Sequence, residues 1–267
     1  VVPSVISSWD TDPYTLTEKD GFFYGRGTSD NKSGATALIT NFIRLKKEGF
    51  VPKNDIIMLL TADEETQMDG IEYFRDNFDS VRNASFAMNS DGGYITGTMQ
   101  NPKAFLLQSA EKVYMTISLH AKNKGGHSSI PRNDNAIYDL AHALTRLENF
   151  QFPISFNETT KTYLDFTTSK LTNETSKQLR QLLDDGENYK YPTLISESPD
   201  LNAQLRTTCV ATRLSGGHAN NALPVAATAT VNCRVLPHEN PKDIMSIIKN
   251  IVGNDVEVGM VWVPESS

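Results

Sequence analysis

Acidic side chains occur at three places where the sequence predicts that a regular element starts or ends. They are Asp30 in a glycine-rich stretch, Asp63, Glu64 and Glu65 behind an apolar run, and Asp91 behind a second apolar run. Carboxylates that converge at the edge of an apolar sheet repel one another and are costly to desolvate unless a cation lies between them. The pattern therefore predicts a metal ion bound between these acids.

The elements that would position these acids have the pattern of an α/β domain. Residues 56–60 form a continuous apolar run, which is typical of a strand buried on both faces of a parallel sheet, and residues 84–89 are predicted to form a second buried strand. Amphipathic helices are predicted near residues 35–47 and 71–78, and residues 1–24 have the composition of a loop. Ligands of open α/β sheets bind at the carboxyl ends of the strands, which is where the acids stand.

Two simpler interpretations of these residues stay open at this point. Acids favour helix N-termini, so Asp63 and Glu64 could only start the next helix, and Asp30 could be a plain N-cap. The glycine-rich stretch could also cradle a phosphate. The phosphate-binding interpretation is disfavoured because the Walker pattern is absent and an acidic residue lies at the start of the helix.

The second half of the chain has the pattern of a compact α+β sandwich. Strands are predicted at residues 113–121, 207–214, 226–235 and 255–263, and helices at 136–147, 176–183 and 241–252. Asn133, Asp134 and Asn135 are cap candidates for the first of these helices, and Pro241 suits the first position of the last one. A loop is expected at Tyr191-Pro192. The resulting order is β-α-insert-β-β-α-β.

Charge and composition exclude several classes of partner. The chain has 25 basic and 32 acidic residues, a net charge of −7 and no block of Lys or Arg. This balance argues against nucleic acid and against an anionic membrane surface as partners. No apolar run approaches the length of a transmembrane helix.

Cys209 and Cys233 lie in strand-like runs without metal-type spacing, so two buried thiols are expected. The sequence starts at Val1-Val2-Pro3 and does not indicate a compartment.

Four motifs occur in a fixed order along the chain. They are Gly25-Arg26-Gly27-Thr28-Ser29-Asp30-Asn31-Lys32, Thr61-Ala62-Asp63-Glu64-Glu65, Asn89-Ser90-Asp91-Gly92-Gly93 and Gly125-Gly126-His127-Ser128-Ser129-Ile130-Pro131. Together they resemble the aminoacylase/carboxypeptidase family of dinuclear zinc metallopeptidases, which includes acetylornithine deacetylase, succinyl-diaminopimelate desuccinylase and glutamate carboxypeptidase. The resemblance implies a zinc-peptidase-like α/β catalytic domain, incomplete here, with an inserted α+β sandwich that serves as lid and dimerisation domain. Residues 1–110 would be the partial catalytic domain, 111–263 the lid and 264–267 the start of the return.

The resemblance also implies roles for single acidic residues. Asp30 would bridge two zinc ions, Glu65 would bind one of them, and Asp91 would bind the other. Glu64 would be the general base, since a carboxylate near a metal-activated water can accept its proton and later pass it to the leaving amine. Asp63 would be a supporting or capping acid and not a ligand.

Three residues of the second domain match family positions near the substrate. His127 matches the histidine that crosses from a partner subunit to stabilise the tetrahedral oxyanion, although a lone loop histidine is more often a plain surface residue. Asn221, in Asn221-Ala222-Leu223-Pro224, and Arg234 would contact the substrate carboxylate. For Arg234 a structural ion pair is an equally good interpretation. The remaining histidines, His120, His142, His218 and His238, are expected to be structural or solvated.

Family members carry further ligand histidines, one in an H-x-D motif and one near the C-terminus, and these 267 residues contain neither. The chain is therefore expected to be the middle of a longer protein, which would hold two zinc ions per subunit or other divalent metals, and to be inactive by itself. The predicted function of the intact protein is metal-dependent hydrolysis of an amide bond next to a free carboxylate, in a small peptide or an N-acyl amino acid, by a homodimer formed through the lid. The alternatives are a noncatalytic dimerisation or binding module without a complete metal site, and a Mg- or Mn-dependent phosphohydrolase built on the carboxylates alone.

Overall fold

The computed structural model describes residues 3–65, 68–98, 100–170, 174–186 and 197–262. The chain divides into two compact units, Val1–Gln108 and Ser109–Ser267. The assignment of these units as catalytic part and lid stays a prediction. Within the described residues, the helices are all too short or too polar to cross a membrane.

The first unit contains helices and short hairpins. Its elements are a 3-10 turn (Ile6–Ser8), β1 (Thr17–Lys19), β2 (Phe22–Tyr24), α1 (Lys32–Lys47), α2 (Asp69–Asn77), α3 (Asp79–Arg82), β3 (Tyr94–Gly97) and β4 (Pro102–Leu106). Strands β1 and β2 pair across Asp20 and Gly21, whose φ values are 54° and 79°. Aspartate–glycine pairs with positive φ are typical hairpin turns. The prediction of a loop over residues 1–24 is therefore wrong for this hairpin.

The prediction of two buried strands at residues 56–60 and 84–89 is also wrong for the described part of the chain. Neither run belongs to any of the described sheets, and Ile56 and Phe86 are 51% and 77% exposed. A buried strand needs a hydrogen-bonded neighbour on each side and a covering layer on each face. The two runs have the composition of such strands, but composition alone supplies neither the neighbouring strands nor the covering layers.

The second unit is built on one antiparallel sheet. Its elements are β5 (Val113–Lys122), β6 (Gly126–His127), α4 (Ala136–Asn149), α5 (Glu158–Lys170), α6 (Glu174–Asp185), α7 (Pro199–Leu205), β7 (Thr208–Gly216), β8 (Ala222–Leu223), β9 (Ala226–Val235), α8 (Pro241–Val252) and β10 (Val256–Trp262). The strand order is β10-β5-β9-β7, and β6 pairs separately with β8. Helices α4 and α8 pack against each other and onto this sheet. The predicted order β-α-insert-β-β-α-β is confirmed.

The core of the second unit lies between one face of the sheet and these two helices. Alternate residues of β5 and β9 are buried, among them Met115, Ile117 and Val231, and they meet Leu140 of α4 and Ile248 of α8. Burial of each such side chain stabilises the fold by about 1.5–3 kcal/mol. The helices start at side-chain caps: Asn135 accepts from Ile137 N–H, and Asn240 accepts from Lys242 N–H.

A second, smaller core lies in the insert between α4 and β7. It consists of Leu164, Leu179, Leu182 and Leu205, contributed by α5, α6 and α7. The helix predicted at residues 176–183 is confirmed as α6, whereas α5 was not predicted because its apolar residues do not follow one helical stripe. The loop predicted at Tyr191-Pro192 lies outside the described residues.

The prediction of two free thiols is wrong. Cys209 of β7 and Cys233 of β9 form a disulfide, with their Cα atoms 4.0 Å apart. The two residues are direct cross-strand partners in the register of the sheet, which brings their side chains to the same face. This pairing follows from the register, and the register is not visible from the spacing of two cysteines in the sequence.

Candidate active site

The glycine-rich stretch leads into α1, and Asn31 caps this helix. Asn31 Oδ1 accepts a hydrogen bond from the Gly34 N–H at 2.9 Å. The interpretation of Asp30 as a plain N-cap is therefore wrong. Because Asn31 caps α1, the helix does not use the carboxylate of Asp30. The peptide bond between Asp30 and Asn31 is cis.

Asn31 also joins α1 to the stretch that contains Asp91. Its Nδ2 donates to Asp91 Oδ1 at 2.8 Å, and the Asp91 N–H donates to Asn89 Oδ1 at 3.0 Å. A Cβ atom at Gly34 would lie 2.5 Å from Ser90 Oγ, so only glycine allows Ser90 to pack this closely on the first turn of α1. Asp91 is thereby held near the N-terminus of a helix, where a negative charge is favoured.

An open depression of about 540 Å³ lies at this junction. It is lined by Ser29, Asp30, Asn31, Ser33, Gly34, Ser90 and Asp91. Two of the three predicted metal ligands, Asp30 and Asp91, thus line the same cavity. Hydroxyl, amide and carboxylate oxygens of this kind are suitable ligands for divalent cations.

The third predicted ligand, Glu65, contacts Asp30. A hydrogen bond with Asp30 raises the pKa of the Glu65 carboxyl, and desolvation and the negative charges of Asp30 and Glu64 raise this pKa further. Two carboxyl groups in contact can share one proton, and a divalent cation can replace that proton. The residues present therefore fit a cation by their chemistry.

Asp63 has a structural role in the described residues. Its carboxylate oxygens accept from the Gly70 N–H, in the first turn of α2, at 3.0 and 3.1 Å. A Cβ atom at Gly70 would lie 2.6 Å from Asp63 Oδ1, so the contact requires glycine. Asp63 therefore bonds to the first turn of α2, which agrees with a capping role, although the residue that immediately precedes the helix is Met68.

The carboxylates are brought together in pairs. Asp30 contacts Glu65, and Asp30 shares the depression with Asp91. Within the described ranges, no group of three or more His, Cys, Asp and Glu side chains could hold a metal ion. The assignment of Asp30, Glu65 and Asp91 to one metal centre therefore stays a prediction.

His127 lies in the second unit, on the short β6–β8 ribbon. Its ring Nδ1 accepts from the Ser129 N–H at 3.2 Å and lies 2.8 Å from Ser129 Oγ. A backbone N–H can only donate, so Nδ1 is the unprotonated nitrogen and the neutral ring carries its proton on Nε2. His127 is exposed and therefore presents an Nε2–H donor.

Asn221 is adjacent to His127 in the same ribbon. His127 pairs with Ala222, and the Asn221 carbonyl accepts from the Ser128 N–H at 2.9 Å. These contacts place the predicted oxyanion donor and the predicted substrate-carboxylate contact side by side.

Arg234 lies at the opposite end of β9. It is eight positions beyond Ala226, where β9 begins, a separation of roughly 27 Å along the strand. Its guanidinium stacks on the Tyr114 ring with 4.5 Å between the guanidinium carbon and the ring centre, and among the described residues it forms no ion pair. The structure therefore does not group Arg234 with Asn221.

Two contributors to the candidate site were not assigned roles from the sequence. Asn31 caps α1 and holds Asp91, and Ser129 selects the tautomer of His127. Asparagine before a helix is a recognisable cap signal, but the contact to Asp91 spans 60 positions and leaves no local pattern.

Comparison with family models gives two matches. Residues 109–259, more than half of the chain, match the peptidase dimerisation domain. Residues 5–137 match peptidase family M28.

Two relatives illustrate the similarity at the level of sequence. The chain is 32% identical over 265 residues to the N-fatty-acyl-amino acid synthase/hydrolase PM20D1 of Homo sapiens, with 96% of this chain and 51% of the relative covered. It is 30% identical over 248 residues to a probable succinyl-diaminopimelate desuccinylase of Staphylococcus aureus, with 92% and 54% covered. The chain spans about half the length of the curated relatives it matches.

Two solved structures are similar to this chain in fold. An M20 family metallo-carboxypeptidase, Sso-CP2 of Sulfolobus solfataricus, matches with a TM-score of 0.58 at 17% identity, covering 99% of this chain and 62% of that chain. The di-peptidase Dug1p of Saccharomyces cerevisiae matches with a TM-score of 0.53 at 12% identity, covering 98% and 60%. The predicted combination of an α/β peptidase fold with a dimerisation domain is confirmed.

Proposed function

The chain belongs to the aminoacylase/carboxypeptidase family of metallopeptidases, and from that premise we propose that the intact protein hydrolyses an amide bond next to a free carboxylate, in an N-acyl amino acid or a small peptide. The observation that carries the proposal is the depression that Asp30 shares with Asp91, and the nearby Asp30 carboxyl raises the pKa of Glu65. The substrate class is supported by relatives that are named for the hydrolysis of N-acyl amino acids and for desuccinylation.

In this proposal Asp30, Glu65 and Asp91 hold two divalent cations, with zinc as the first choice. When bound, such cations supply Lewis acidity toward water and toward the scissile carbonyl. Glu64 accepts the proton of the attacking water and passes it to the leaving amine. Adjacent glutamates can divide these roles because successive side chains point in different directions.

The residues of the second unit recognise the substrate and its transition state. The Nε2–H of His127, contributed by a partner subunit, donates to the oxyanion that develops on the carbonyl oxygen, a type of contact that is worth about 10²–10³ in kcat. Asn221, next to His127 in the β6–β8 ribbon, binds the free carboxylate of the substrate through its amide N–H groups. Arg234 is not included, because it lies at the far end of β9.

The proposed assembly is a homodimer through the second unit. Strand β7 is one of the two edge strands of the described four-stranded sheet, and its side chains Val210 and Leu214 are 60% and 71% exposed. A long apolar edge strand is a template for pairing with another chain. The match of residues 109–259 to the peptidase dimerisation domain supports a second copy of this chain as the partner.

The experiment is metal analysis of the intact protein combined with a screen of N-acyl amino acids and dipeptides, with and without chelator. We expect bound divalent metal and chelator-sensitive turnover. Glu64→Gln should remove turnover and leave the metal content unchanged, whereas Glu48→Gln, an exposed change just beyond α1, should alter neither. Turnover that survives both the chelator and Glu64→Gln would refute the mechanism.

One observation favours the second candidate, a noncatalytic dimerisation module. Over the described residues, no three potential ligands are grouped to hold a metal. This candidate predicts an intact protein that dimerises but neither binds stoichiometric metal nor cleaves any substrate in the screen.

A further inference from the structure

The loop that carries His127 is closed at its base by Asp134. This loop leads from the end of β5 to the start of α4, and Asp134 accepts two hydrogen bonds from Arg132, at 2.9 and 2.8 Å. Asp134 Oδ2 also accepts from Asn123 Nδ2, at 2.9 Å. One carboxylate therefore joins the first and the last part of the loop.

The two side chains that Asp134 holds brace the glycines before His127. Asn123 Oδ1 accepts from the Gly125 N–H at 3.1 Å. The stem of Arg132 lies beside Gly126, where an added Cβ would be 3.9 Å from Arg132 Cδ. Gly125 and Gly126 have φ values of 72° and 152°, so the backbone that precedes His127 depends on outside contacts to hold it in place.

The ion pair itself is exposed and contributes little to overall stability. The side chains of Arg132 and Asp134 are 39% and 52% exposed, and exposed pairs of this kind stabilise proteins only weakly. Hydrogen bonds from Arg132 and Asn123 nevertheless hold the pKa of Asp134 well below its ordinary value, so the carboxylate stays ionised at neutral pH. What the pair fixes is the path of a glycine-containing loop.

We propose that Asp134 is a positioning residue for His127: by binding Asn123 and Arg132 together, it fixes the loop from which the Nε2–H of His127 is presented. This inference rests on the proposed function, in which His127 stabilises the oxyanion. Asp134 does not touch the substrate and acts only through the loop.

The test compares Asp134→Asn with Glu257→Gln in the intact protein. Glu257 forms an exposed pair with Lys122 at 3.0 Å, with side chains 70% and 68% exposed, and it lies on β10, outside the loop. Asp134→Asn should lower kcat about 10- to 100-fold, as small misplacements of a catalytic group do, with KM changed much less. Glu257→Gln should change neither.

A double variant separates positioning from a general structural effect. If Asp134 acts through His127, adding Asp134→Asn to His127→Ala should cost no more than about 3-fold beyond His127→Ala alone, because the two residues act as one unit. Independent losses that multiply in the double variant would overturn the proposal.

Amide hydrogen exchange gives a readout that does not depend on turnover. The Ser128 N–H is bonded to the Asn221 carbonyl and the Ile130 N–H to the His127 carbonyl, and both should exchange about 10-fold faster in Asp134→Asn through local opening. Unchanged exchange, or unchanged kcat in an active enzyme, overturns the positioning role alone. An intact wild-type protein without any turnover overturns the proposed function and, with it, this role.

Discussion

Reduction of the Cys209–Cys233 disulfide should destabilise the second unit without changing its fold. The bond joins the edge strand β7 to the central strand β9 at directly opposed positions. Cys233 is fully buried in the main core, so the reduced thiols would remain in a packed environment. The effect of reduction therefore arises mainly from the unfolded chain, which regains the freedom that the cross-link removes.

The magnitude follows from the length of the closed loop. The cysteines are 24 positions apart, and closing a loop of that length lowers the entropy of the unfolded chain by roughly 12 cal/mol/K, which is about 3.5 kcal/mol at 25 °C. For a unit of this size, that loss corresponds to a fall in melting temperature of about 7–14 °C.

The assay is urea denaturation of the intact protein, followed by far-ultraviolet circular dichroism with and without reductant. The transition of the second unit should move to lower urea when the protein is reduced. The double variant Cys209→Ala/Cys233→Ala is the control, because its transition should not respond to reductant. A wild-type midpoint that reductant leaves in place, or two titratable thiols in the native oxidised protein, would refute the reasoning.

Four further predictions address the core, the dimer, the loop and the metal site. Ile248→Ala should lower the free energy of unfolding by about 2–5 kcal/mol, because Ile248 is fully buried in the core where α8 packs on the sheet. Denaturant titration measures this free energy, and a loss below about 1 kcal/mol would contradict the packing. Leu214→Lys, on the exposed edge strand, should shift the protein from dimer to monomer in sedimentation analysis, whereas an unchanged dimer would place the interface elsewhere. Because hydrogen bonds lower the pKa of folded Asp134, its stabilising effect should be fully present above about pH 4 and decrease at lower pH. The difference in melting temperature between wild type and Asp134→Asn is expected to be small, because the pair is exposed, and it should shrink only below that pH. Glu65→Gln should lower the metal content of the intact protein, measured by elemental analysis, and full retention of metal would remove Glu65 from the ligand set.

The elements of the second unit could be predicted from the sequence because their signals are local. Strand β5 alternates between buried and half-exposed residues from Met115 to Ala121, which is the period of two that a half-buried strand imposes. Helix α8 starts after an asparagine cap with proline in its first turn, and both signals lie within a few residues of one another. The bounds of β9 and α8 were therefore predicted without error.

The two apolar runs in the first unit show the limit of such local signals. Their composition predicts buried strands, but a strand exists only where neighbours supply hydrogen bonds and cover its faces. Ile56 and Phe86 remain exposed, and no property of the runs themselves could have indicated this. The hairpin at Asp20 and Gly21, in contrast, had a readable turn signal that the composition of the surrounding loop obscured.

By itself, the sequence determined the family, the order of elements in the second unit and the candidate catalytic residues, because motif order and side-chain periodicity are properties of the chain alone. The tertiary structure decided which of these residues meet. The Cys209–Cys233 bond, the contact of Asn31 with Asp91 and the closure of the His127 loop by Asp134 each join different segments of the chain. Such contacts depend on strand register and loop path, which are set only when the whole unit packs.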